Sequence, residues 1–133
     1  MRAEKVIRSL LMAASGVTAL VSDRAYPHII PQGATLPALA VEHISTVDLF
    51  TLDASAAYGL TQSRIQVTAI AKDYVTQKAL LEEVRKACTY QRGTIAGVGV
   101  VSVLRDGVGP DIRDDDVGIF TQSVDFLVTY REP

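Results

Sequence analysis

Three observations predict an α+β fold: a mixed, mostly antiparallel β-sheet with two α-helices packed on one face. Two segments repeat apolar residues at helical spacing, and four others read as strands, in the order α, β, β, α, β, β. The last two strands are joined by a loop with no helix in it, which makes them antiparallel neighbours. Apolar residues make up 48% of the 133 and charged residues 21%, enough to build one core in a single domain spanning 1–133.

The first helix is read from Val6, Leu10, Ala13 and Ala14, with Ile7 and Leu11 beside them. Arg2, Glu4, Lys5 and Arg8 cover its other side, and Gly16 is placed to end it. A signal peptide has a similar charged-then-apolar start. Here the apolar stretch is short and broken by Ser9, Ser15 and Gly16, so an amphipathic helix is expected, with a short second turn over 17–22.

Pro27, Pro31 and Pro37 forbid regular helix and predict an ordered connector. A strand follows over 39–45. Residues 46–60 leave a hairpin or a loop open, with Ala54 to Gly59 read as loop. The cleanest strand is 61–72, where Ile65, Val67, Ala69 and Ala71 alternate with Arg64, Gln66 and Thr68. Asp73 is an N-cap for the next helix, whose buried face is Leu80, Val84, Ala87 and Cys88. Glu82 and Lys86 are expected to pair across one turn, and Gly93 to lie past the helix end. Val98 to Leu104 reads as a central strand. Residues 107–118 read as a long turn, and Ile119 to Tyr130 as a strand with Phe120, Val124, Phe126, Val128 and Tyr130 on one face.

No chemistry-bearing constellation stands out. The net charge is −2, without the basic surplus of a duplex-DNA binder. No apolar run approaches the ~20 residues of a membrane span. Cys88 is the one cysteine, so no intrachain disulfide forms, and its place on an apolar helical face points to core packing. His28 and His43 have no partners at metal-ligand spacing. The glycines of Gly93-Thr94-Ile95-Ala96-Gly97-Val98-Gly99 are not spaced for a phosphate loop, and a strand follows them, whereas such a loop opens onto a helix. Asp111, Asp114, Asp115 and Asp116 lack the register of a calcium loop. They read as a solvated hairpin tip or an electrostatic docking surface, with Arg105 and Arg113 adding opposite charge. No catalytic residue, cofactor site or metal site is assigned.

Four blocks carry a family resemblance. They are Ala19-Leu20-Val21 with Arg24, Tyr26 and Pro27; Pro31-Gln32-Gly33-Ala34 leading to Leu36-Pro37-Ala38-Leu39; Arg64-Ile65-Gln66-Val67 with Ala71, Tyr74 and the helix Ala79 to Ala87; and Gln122 to Val128. In order, spacing and length the chain resembles the tail-completion, or tail-terminator, proteins of long-tailed phages and prophages. The resemblance implies a structural protein that forms a six-membered ring at the head-proximal end of the tail tube. It implies three partners: further copies of itself, the tail tube protein and a head connector protein. It implies no membrane and no sequence-specific nucleic acid, with DNA passing through the ring, and a place in the host cytoplasm during assembly and then in the virion tail. Residues 46–60 and 107–117 match no family pattern. Partner contacts are therefore expected at Phe50 and Tyr58 and at Asp111, Arg113, Asp114, Asp115 and Asp116, in long irregular segments that a core does not explain. The rival readings are a head–tail connector or adaptor ring, a small α+β hydrolase using His28 or His43, and a ligand-binding module.

Overall fold

A computed structural model describes residues 2–49, 59–114 and 118–132. Helix α1 (Arg2–Ala13) buries Ala3, Val6, Ile7 and Leu11, a seam at helical spacing. Leu10 is packed only partly against the core and Ala13 is exposed, so the seam lies slightly off the expected one. Ala14 adopts an extended conformation and separates α1 from α2 (Ser15–Val21). Gly16 therefore does not end the first helix. It sits in the first turn of α2, where a Cβ would fall 2.0 Å from Glu83 Oε2.

Strand β1 (Ala25–Pro27) pairs in parallel with β2 (Ala38–Leu49), so the proline-rich connector contains a short strand. Arg24 ties this region together: its Nε donates to the Pro37 carbonyl at 3.0 Å and its other guanidinium nitrogen to Leu20 at 3.2 Å. β2 runs four residues beyond the expected Ser45 and forms an antiparallel pair with β3 (Gly59–Ala71), with a bulge between His43 and Ser45. The two ends of the undecided 46–60 segment are thus strand; of the loop expected over 54–59, Gly59 begins β3 and the rest lies outside the described residues.

Asp73 caps α3 (Tyr74–Cys88) by accepting the Thr76 amide at 3.2 Å. Leu80, Val84 and Cys88 are fully buried on the expected face. The ion pairs on its outer side differ from expectation: Glu82 holds Arg85 and Glu83 holds Lys86, each three residues apart. Gly93 lies past the end of α3 and a strand follows the glycines, as expected, but the segment also contains a further strand and forms a hairpin. It comprises β4 (Gln91–Ile95), a turn at Ala96-Gly97 and β5 (Val98–Val108). Both turn residues have positive φ, 53° and 78°, as a two-residue type I′ hairpin turn requires. The expected long turn at 107–118 is also shorter: β5 continues to Val108, and β6 (Ile112–Asp114) pairs with β7 (Ile119–Glu132).

The seven strands form one sheet in the order β1-β2-β3-β7-β5-β4, with β6 attached to β7. All pairings are antiparallel except β1 with β2. Three helices, not the expected two, pack on one face. Ile65, Val67, Ala69, Val124, Phe126 and Val128 meet α1, α2 and α3 there in a single core. β5 lies inside the sheet, yet Val101 and Leu104 are about two-fifths exposed (40% and 42%) because no described helix covers the other face.

Candidate assembly surfaces

The helix-free face is built by the alternation of β3, β7 and β5. On β3 the residues opposite the core are Gln62, Arg64, Gln66 and Thr68, which register against Thr129, Leu127, Asp125 and Ser123 of β7. The Arg64 guanidinium bridges Asp106 and Asp125, and its pKa is held above the usual arginine range, chiefly by the hydrogen bond it donates to Asp106. Gln66 Nε2 donates to Asp125 at 3.2 Å, and Gln62 Nε2 to Thr129 at 3.3 Å. Around this polar ladder stand exposed Val47, Val101 and Leu104. A sheet face of paired charges with an apolar fringe is suited to a protein partner.

The inner face changes character toward the β2–β3 loop. His43 Nε2 and Thr46 Oγ1 lie 2.5 Å apart, Thr46 meets Ser63 at 2.9 Å, and Ser63 meets the Tyr130 hydroxyl at 3.3 Å. These groups satisfy one another, so this end of the sheet carries bonded hydroxyls where the centre carries methyls.

The expected contact residues divide between two regions. Phe50, Tyr58, Asp115 and Asp116 lie outside the described residues. Asp111 Oδ1 accepts from Lys78 Nζ at 2.5 Å, and the same Nζ donates to Gln122 Oε1 at 2.5 Å. Gln122 in turn donates to the Gly109 carbonyl at 2.8 Å. Arg113 lies over the Phe120 ring at 5.7 Å, and Tyr74 meets that ring edge-on at 6.0 Å. Asp111 and Arg113 are thus anchored to α3 and β7. Lys78 was not singled out by its sequence context, since its partners stand 33 and 44 residues away. Beside it, a cleft of about 340 Å³ between α3 and β5 is lined by Lys78, Glu82, Arg85, Arg105 and Val108 among others. Glu82 there titrates below the usual carboxylate range, mainly through its hydrogen bond from Arg85.

Cys88 is buried, and desolvation pushes its thiol up to about 12, the opposite of what a nucleophile requires. His28 lies 3.4 Å from Glu42 on the surface, and His43 is engaged with Thr46. Among the described residues no three His, Cys, Asp or Glu side chains are grouped to hold a metal ion, and no helix is long and apolar enough to cross a membrane.

Residues 5–131 match the family model described as "Tail completion protein gp17". No curated protein matches the sequence. Among solved structures, a chain from "Virion of native gene transfer agent (GTA) particle" superposes with a TM-score of 0.70 at 14% identity. The alignment covers 97% of this chain and 94% of that one. At that identity the likeness is one of fold.

Proposed function

The chain belongs to the tail completion protein gp17 family, and on that premise we propose that it caps the head-proximal end of a phage tail tube. It is a structural protein of a phage-like tail, not an enzyme. In the proposed role, copies assemble into a closed ring of six. One surface of the ring stops further addition of the tail tube protein, and another receives the head connector, while DNA passes through the lumen. The observation that carries the reading is the family match, which spans the sheet and all three helices rather than one motif. The exposed helix-free sheet face supports it, because a capping protein needs extended surface for partners. The acidic segment supports it as well. Asp111, Arg113 and Asp114, together with Asp115, Asp116, Phe50 and Tyr58 outside the described residues, are proposed as partner contacts.

The test is binding of the purified protein to tail tubes and, separately, to empty portal-bearing heads. Retention on tube ends alone is the expected result. Retention on heads alone would replace the terminator role with that of a head–tail connector ring.

A further inference from the structure

Among the described residues no strand closes either lateral edge of the sheet. On one side β1 covers β2 only from Leu39 to Val41, with Leu39 N donating to the Arg24 carbonyl and His28 N to the Val41 carbonyl. From Glu42 to Leu49, β2 has β3 on one side and no described strand on the other. On the opposite side β4 has β5 on one side and no described strand on the other. Unpaired backbone groups on a strand edge are a template for another strand. Proteins that avoid such pairing place lysine or proline on the edge. Neither residue occurs in 42–49 or in 91–95. The two edges differ in charge: the first carries Glu42 and Asp48, whereas Arg92 is the sole formal charge of the second. Each strand is therefore mismatched with itself and matched with the other.

We propose that the 42–49 edge of β2 in one copy pairs with the free edge of β4 in the next copy, continuing the sheet from subunit to subunit. The two edges lie at opposite ends of the strand order, so the contact is head-to-tail. Such a contact makes a ring where the rotation per copy closes. The bulge between His43 and Ser45 bends this arm of β2 and contributes to setting that rotation. The proposal rests on the ring reading above and names its subunit interface.

Strand alternation supplies a test. Ser45, Val47 and Leu49 of β2 register with Arg64, Gln62 and Leu60, on the helix-free face, and Thr46 registers with buried Ser63 on the other. On β4, Thr94 registers with exposed Gly99, whereas Ile95 registers with buried Val98. Cysteines are introduced as Thr94→Cys combined in turn with Ser45→Cys, Val47→Cys or Leu49→Cys, and with Thr46→Cys as the opposite-face control. The native Cys88 is buried and does not interfere with oxidation at neutral pH. Each variant is oxidised and resolved on a non-reducing gel, and its assembly state is read by native mass spectrometry, alone and on tail tubes. At least one same-face pair should give about tenfold more linked multimer than the Thr46 control, because only thiols on one face reach disulfide distance. A closed oligomer in which no same-face pair links above the control overturns the edge pairing and leaves the ring reading standing. Cross-links running to the tube protein overturn it as well. The absence of any closed oligomer, both alone and on tubes, overturns the ring reading and the interface with it.

Discussion

At the residue scale, Cys88 and Asp73 show how a side chain that looks chemically active is used for structure. Both uses are legible locally: Cys88 falls on a stripe with Leu80 and Val84, and Asp73 stands one residue before the helical period begins. Cys88 titrates near 9 when exposed and is pushed up to about 12 by burial. Its folded pKa is therefore raised, so its contribution to stability is whole below about pH 9 and is lost as pH rises toward 12, where only the unfolded chain ionises. Urea denaturation between pH 8 and 11 should show stability falling above about pH 9, and Cys88→Ala should flatten this part of the fall. Asp73→Ala removes the acceptor for the Thr76 amide and should cost about 1 kcal/mol in the same assay at neutral pH. Asp111 was harder to read, since its Lys78 partner is brought near only by the packing of α3 beside β7. Reversing Asp114, Asp115 and Asp116 to lysine should weaken joining to partners by about tenfold with an unchanged circular dichroism spectrum. Unaltered joining would remove the acidic segment from the contact surface.

At the scale of elements, long periodic segments were legible and short ones were not. β3 and β7 alternate over many residues because the helices bury one face and leave the other partly open. β1, β4 and β6 have three, five and three residues, too few for a period to show, and they exist through their neighbours' hydrogen bonds. The β4–β5 hairpin was hidden by its glycines. Gly93, Gly97 and Gly99 suggest a loop, whereas Gly97 is one of two left-handed turn residues and Gly99 lies in a strand. The other turn residue, Ala96, pays a steric cost at φ 53° that asparagine or glycine avoids. Ala96→Gly should therefore raise stability by about 0.5–1 kcal/mol, read as a shift in the urea midpoint. A loss of stability would show that the turn is not of the type I′ form.

At the scale of the whole molecule, the polar side chains of the sheet's outer face bond one another across strands: Arg64 pairs with Asp106 and Asp125 by charge, and Gln66 with Asp125 by a hydrogen bond. They build a surface rather than a cleft for a small substrate. The α+β class and the covering of one face were legible from periodicity. The third helix was not foreseen as such, because α2 has only seven residues and its Gly16 imitates a stop. The residue blocks that carry the tail-completion resemblance include residues with structural roles: Arg24 binds the Pro37 carbonyl, and Gln122 accepts from Lys78. The surfaces that such a protein turns to its neighbours depend on strand order, which no local pattern encodes.

The capping role is tested most directly by polymerising the tail tube protein with and without this protein and measuring tube lengths by electron microscopy. The account predicts that tubes stop growing when it is added and carry extra ring-shaped density at one end. Tubes that keep elongating at saturating protein, with bare ends, would contradict it.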